Sequence, residues 1–422
     1  MNSVTEPRLS FLRSATVVAV GMAIMNVAAY GFTLIGTHRL VPEQFGAITA
    51  LLGLLLIGNV ASLGLQATGA RRLATHTDDG SLAHSILLAG RRTAIALMVL
   101  CLLATPLIRW LLHIDSVVAV LLLAPTLGGL TLMGAQLGIL QGTQRWTALA
   151  SVYTSLGLAR LVLGGGALLV HPSLEWAMAG LALAAVVPPV LGSRYVRKAS
   201  GGTRALTNSL LRETAHGTHT LLAFFVIANA DVLLARSLLD GRHSGYYAAG
   251  VIVAKACLFL PQFVIVIVFP SLASSPGDTA KLRRAILAVA GLGVCTVVGT
   301  LVLPDLVVTV IGGPEKYSAL GPYTWMFAIA GSAYAVLQMV VYAAIAQQEK
   351  RAALAIWAGL MVLAVTAALV LAEGMTGVKT LVALTSGCAL VLSVALAAGL
   401  HRGQRPAGVQ ETGQALTPSP EA

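Results

Sequence analysis

GAITALLGLLLIGNVASLGLQA, residues 46–67, carries no charged side chain in 22 positions. At 1.5 Å of rise per residue it forms a helix about 33 Å long, enough to cross a hydrocarbon core of about 30 Å. Charge returns on both flanks, with Arg39 and Glu43 before it and Arg71-Arg72 after it. Runs of the same kind recur along the chain, at about 15–36, 93–112, 117–140, 147–170, 174–192, 214–235, 246–270, 285–306, 323–346, 352–372 and 378–400. With 57% hydrophobic and 10% charged residues in 422, there is more apolar surface than a water-soluble core buries. The predicted fold is an all-α polytopic membrane protein of about twelve transmembrane helices.

The net charge of +11 raises the question of nucleic acid, which its distribution answers. Nineteen Lys and Arg fall on the face of the N-terminus, among them Arg71, Arg72, Arg91, Arg92, Arg194, Arg197, Lys198, Arg204 and Arg212. Six fall on the other: Arg39, Arg109, Arg236, Arg242, Lys316 and Lys379. The positive-inside rule then puts both termini in the cytoplasm. The charge faces a membrane and not a nucleic acid. The first run is longer than a signal-peptide core and has no convincing small-residue cleavage site before Thr37, so it reads as a retained helix. A preference for Arg over Lys and for Ala, Gly and Leu fits a GC-rich bacterial genome, hence a bacterial plasma membrane.

The connection rich in Gly and basic residues around Gly201-Gly202 divides the chain. The predicted units are a six-helix lobe over 1–193, a linker over 194–213, a second six-helix lobe over 214–401 and a disordered cytoplasmic tail over 402–422. A shift of 199 positions lays Gly46 on Gly245, and a slightly larger one lays Gln136 on Gln338 and Arg145 on Arg351. Halves with an even number of helices repeat in parallel, and transporters of that construction bind substrate between the halves near the midplane.

Charges inside apolar spans cost at least about 2.5 to 3.5 kcal/mol each on insertion scales, which marks Arg160, Asp231 and Lys255 as functional candidates. Arg160 and Lys255 count out near mid-membrane, and the three sum to a positive field suited to an anionic group such as phosphate. An alternative is that Asp231 and Lys255, on consecutive helices, neutralise each other as a structural pair. Asn26, Gln136 and Gln338 add polar groups within spans, and Tyr334, Gln338 and Tyr342 share one helical face. Interhelical hydrogen bonding explains any one of them equally well. Arg39 and Arg71, near the two ends of the second span, complete the candidate set, with snorkelling to the interface as their alternative reading. Cys101, Cys257, Cys295 and Cys388 lie in separate spans without metal-ligand or disulfide spacing. No phosphate-cradling glycine loop, HExxH motif or long loop suggests an enzyme or a cofactor.

The segments HRLVPEQFGAITALLGLLLIGNVASLGLQATGARRLA (38–74), LQGTQRWTALA (140–150), NADVLLARSLLDGRHSGYYAAGVIVAKACLFLPQFVIVIVFPSLA (229–273) and YAAIAQQEKRAALA (342–355) resemble the Wzx-type polysaccharide flippases. These belong to the multidrug, oligosaccharidyl-lipid and polysaccharide exporter superfamily. The resemblance implies a central cavity that moves an undecaprenyl-diphosphate-linked oligosaccharide between leaflets. Its implied partners are that lipid, the surrounding membrane, and glycosyltransferases or a glycan polymerase. The rivals are a multidrug or major-facilitator exporter and, further off, a membrane-embedded glycosyltransferase or ligase.

Overall fold

The computed structural model describes residues 5–75, 80–196, 204–274, 279–346, 351–374 and 377–403. Among them every regular element is a helix. Hydrocarbon offers backbone amides no water, so each must be paired within its own segment, and a helix does this completely. Ten of the helices are long and apolar enough to span, and eleven when a bent pair is counted as one. A further helix of 34 residues, Gly241–Ser274, lies on the predicted eighth span. Most of the predicted tail from 402 on lies outside the described residues.

Several spans are broken where their sequence requires it. The second runs Pro42–Gly58 and Val60–Thr75 around Asn59. The sixth, Leu174–Ala184, resumes as Val187–Tyr195 with Pro188 and Pro189 in its first turn, where a missing amide is tolerated. The predicted ninth span, 285–306, is corrected: its helix stops at Val302 and turns through 93° into Pro304–Ile311, because Pro304 cannot continue the ladder. The fifth span passes from Trp146–Ala159 into a π-helical stretch, Arg160–Gly165, before Gly166–Val170.

The two halves repeat one packing scheme. In the first, span two lies on four, three on four, one on five and four on six; in the second, eight lies on ten, nine on ten, seven on eleven and ten on twelve. The halves meet where spans two and eight cross at Gly46 and Gly245, the pair that the repeat superimposes. A Cβ on Gly245 would stand 2.1 Å from the Pro42 carbonyl oxygen, and one on Gly46 2.9 Å from Ser244 Oγ. Only hydrogen at these two positions allows the backbones so close. Toward the termini the halves touch again at Gly64, whose Cβ would stand 2.0 Å from Thr218 Cγ2.

At the end opposite the termini, cations of the second half close onto helix ends of the first. Arg236, buried at the end of His219–Leu238, donates from Nε to the Leu112 carbonyl (2.9 Å) and from Nη2 to that of His113 (2.9 Å). It also reaches Ser244 Oγ at 3.1 Å. Lys316 Nζ donates to the carbonyls of His38 (2.5 Å) and Leu40 (3.1 Å), and the Thr37 hydroxyl donates to the Ile311 carbonyl. Unpaired carbonyls at a helix C-terminus attract cations, so this clamp joins hydrogen bonding with the helix dipole.

The segment predicted as a linker, 194–213, enters an amphipathic helix at Arg204, and this helix, Arg204–Gly217, runs on into the first residues of the predicted seventh span and lies against spans two and three. Glu213 pairs with both Arg71 and Arg72. Partial burial pushes its carboxyl upward, but the hydrogen bonds and charges of the two arginines outweigh this and hold it below the ordinary range. A depressed carboxyl stabilises above its free pKa and ceases to do so as pH falls through the lowered value.

Two predictions follow from these contacts. Arg236→Ala strips several charge-assisted bonds of roughly 1.5–3 kcal/mol each. In a chain lacking its native cysteines, a cysteine at Leu52 should then react at least about tenfold faster with an impermeant maleimide applied opposite the termini. Protection of the amides of 204–217, corrected for the intrinsic exchange rate, should fall as Glu213 is protonated on acidification, and in Glu213→Gln already at neutral pH, as read by hydrogen exchange.

Candidate binding cavity

Within the helices lies a cavity of about 400 Å³. It draws its walls from spans one, two, four, five and six and from one face of span eight. It is therefore set into the first half, with the second half contributing Ala248, Val251, Ile252 and Lys255. Most of the wall is apolar and adaptable, with Met22, Met25, Leu52, Leu55, Leu63, Leu130 and Met133. The polar groups are few: Asn26, Tyr30, Asn59, Gln66 and Tyr153, with Thr and Ser hydroxyls, and the two cations Arg160 and Lys255. No Asp or Glu is among the described lining residues.

Arg160 sits at the first residue of the π-helical stretch, a local departure often found at functional sites. Its guanidinium lies over the Phe32 ring at 5.0 Å, and its Nε, shut off from water, has no hydrogen-bond partner among the described residues. Lys255 feels Asp231 on one side and Arg160 on the other, but no carboxylate comes within 4 Å of it among the described residues. Asn59 is alike: its Oδ1 is sealed from water and unpartnered. Tyr30 donates to the Ile252 carbonyl at 3.4 Å, joining span one to span eight.

Of the eight candidates from the sequence, the fold brings three together on the cavity: Asn26, Arg160 and Lys255. Asp231 lies outside it, buried in the second half, with Oδ1 accepting from the Val232 amide (2.8 Å) and Oδ2 from Tyr247 Oη (3.5 Å). Tyr247 Oη is in turn 3.4 Å from Thr385 Oγ1. Gln136 ties span four to span six through the Pro189 carbonyl (3.0 Å). Gln338 is buried beside Tyr342, away from the cavity. Arg39 is exposed and caps the Leu169 carbonyl (2.9 Å), and Arg71 serves the Glu213 pair.

Sequence reading passed over Asn59, Gln66 and Tyr153. Tyr153 stands two helical turns from Arg160, and Gln66 two turns from Asn59, so a search for polar residues seven apart within spans would have found both pairs. Among the described residues no group of three or more His, Cys, Asp or Glu is placed to hold a metal, and the four cysteines are free.

A fold of spanning helices around a cavity set mainly into the first half defines a multi-pass membrane protein. Residues 11–276 match the family model described as polysaccharide biosynthesis protein, and the chain belongs to that family. Among curated proteins none matches the chain. Among solved structures, an inward-facing multidrug-resistance MATE transporter of the MOP superfamily aligns with a TM-score of 0.73 at 12% identity, covering 91% of this chain and 96% of that one. The lipid II flippase MurJ in its inward closed conformation gives 0.73 at 12%, covering 92% and 87%. A MOP-superfamily transporter from Pyrococcus furiosus gives 0.64 at 12%, covering 92% and 95%. The fold is that of these MOP-superfamily transporters.

Substituting Phe32 tests the arrangement around Arg160. Phe32→Leu removes the ring face and should weaken the hold on the guanidinium by about 0.5–2 kcal/mol, read as a lower melting temperature of the purified protein.

Proposed function

We propose that this protein is a flippase of the bacterial plasma membrane that moves an undecaprenyl-diphosphate-linked oligosaccharide outward, with both termini cytoplasmic and two lobes, 1–193 and 214–401, rocking about the cavity. The observation that carries this reading is a cavity with two cations, Arg160 and Lys255, and no lining carboxylate. Such a cavity suits an anionic head group and repels the cationic compounds that a multidrug exporter would need to hold. Membership in the polysaccharide biosynthesis family supports a glycan on the lipid. Glycosyltransferases or a polymerase would make and consume the substrate.

A lipid-linked sugar is an amphiphile whose tail stays in the bilayer while its head crosses. The cavity replaces head-group water with Arg160, Lys255 and the surrounding amides and phenols, between one contact zone at Arg236 and Lys316 and another at Gly64 and Thr218. Loss of the first zone with the second kept, and the reverse, gives alternating access. An inside-negative potential drives an anion outward and an empty cationic cavity inward, each by about 2.3 kcal/mol per charge per 100 mV if the whole field is crossed. Asp231 is within electrostatic reach of Lys255 and can tune its field or exchange a proton during the cycle.

Depletion of the protein should accumulate the lipid-linked glycan on the cytoplasmic leaflet, reversed by the wild type. Arg160→Ala and Lys255→Ala, each removing charge-assisted bonds, should lower transport at least tenfold while the protein stays in the membrane. Full transport by both variants would refute the cationic-cavity mechanism. Unchanged leaflet distribution with raised drug accumulation would favour the exporter reading. Asp231→Asn divides its two roles: transport identical to wild type at every external pH would remove it from proton exchange.

A further inference from the structure

We infer that the cavity reads its substrate at two levels, and that Gln66 and Tyr153 form a neutral subsite for the sugar attached to the anionic group held by Arg160 and Lys255. This rests on the lipid-linked saccharide reading and adds to it the residues that discriminate the glycan.

Spans two and five run antiparallel past each other. Gln66 and Tyr153 meet across them, with Gln66 Nε2 donating to Tyr153 Oη at 2.8 Å. Seven residues further from the termini on each helix stand Asn59 and Arg160, about 10 Å away along the axis and on the same helical faces. All four line the cavity. These four, beside Asn26, Tyr30 and Lys255 on the same lining, lie at two levels, or rungs, one with an amide and a cation, the other with an amide and a phenol, separated on the scale of two linked sugar rings.

The chemistry of the rungs differs. In the charged rung, Asn59 Oδ1 and Arg160 Nε are sealed from water without partners, and buried polar atoms are rarely left so unless something else completes them. The neutral rung is already assembled. Gln66 Nε2 also donates to Gln141 Oε1 at 2.9 Å, and Gln141 lies behind the lining, so the reading carboxamide is held in one orientation from outside the cavity. With both Nε2 hydrogens committed to Gln141 and Tyr153, the rung offers Gln66 Oε1 as an acceptor and, 3.2 Å from it, the Tyr153 hydroxyl as a donor that a sugar hydroxyl can take over, and the phenol adds a ring face. Neither attracts a diphosphate as a cation does. A rung held rigid by a supporting amide costs little ordering when ligand arrives, which makes it suited to selecting among glycans.

The test uses the full chain in lipid nanodiscs with three probes: undecaprenyl diphosphate, and the same lipid carrying a hexose or an N-acetylhexosamine. Wild type should bind at least one sugar-bearing lipid ten or more times tighter than the bare diphosphate. Gln66→Leu and Tyr153→Phe should each reduce that gain, the ratio of sugar-bearing to bare-lipid affinity, to less than threefold, with folding read separately from the melting temperature and monodisperse elution of each variant. Arg160→Gln should weaken all three probes together. A sugar-dependent gain that survives in both neutral-rung variants, or no gain in wild type for either sugar while the bare lipid binds, overturns the subsite alone. Failure of wild type to bind undecaprenyl diphosphate overturns the flippase reading and the subsite with it.

Discussion

Arg160 and Lys255 carry positive charge into a wall of methionine and leucine side chains without a carboxylate in contact. A charge taken out of water is tolerated when something returns part of its hydration energy, by a counter-ion, by hydrogen bonds or by a polarisable face. Arg160 receives one such return, the Phe32 ring, and its Nε receives none. Lys255 has Asp231 within electrostatic reach but not within bonding distance. The pair is thus held in a state that an incoming anion improves. A salt-bridged pair would have neutralised itself; on the proposed reading this arrangement keeps its charge for an anionic ligand.

Keeping two such cations in place requires rigid surroundings, which the repeat supplies. The spans of each half lock together by one scheme, and the halves approach most closely at a crossing of two glycines that occupy equivalent positions in the repeat. Around that crossing the second half inserts Arg236 and Lys316 into the carbonyl ends of helices from the first. Cations on helix termini hold strongly when seated and become solvated when withdrawn, which suits a contact that must form and break in each cycle. At the other end, Gly64 against Thr218 is a contact of small groups that separates without exposing charge. The chemistry of the two zones is unequal, so substitutions at each should bias the protein toward opposite states.

Much of the fold could be read from hydropathy and loop charge because lipid leaves the backbone few options. Most predicted spans fall on helices, several of them broken and the ninth bent, and the Gly46 and Gly245 match picked out a pair in direct contact. What escaped was local. The 93° turn falls at Pro304 and Asp305, a proline and a charge near the end of a predicted span that averaged hydropathy runs through, and hydropathy cannot see a bend. At the site, charge within a span located Arg160 and Lys255, because their energetic penalty is visible in sequence. Neutral polar residues carry no such mark: Gln136 bonds across to span six and Gln338 to Tyr342 on its own helix, while Gln66 and Asn59 face the cavity, and only the rotation of each helix distinguishes them. The sequence left open whether Asp231 pairs with Lys255; its carboxylate accepts from the Val232 amide and Tyr247, with Lys255 within electrostatic reach.

The central claim is that the cavity works by its positive charge, and flipping in proteoliposomes measures this most directly. Undecaprenyl diphosphate bearing a single sugar would be placed in one leaflet and its appearance in the other followed for wild type and for the double substitution Arg160→Gln with Lys255→Gln. The account predicts transfer by the wild type, accelerated by a potential that drives anions in that direction, and little transfer above protein-free vesicles by the double variant. Transfer by the double variant at the wild-type rate, with the same response to potential, would contradict it.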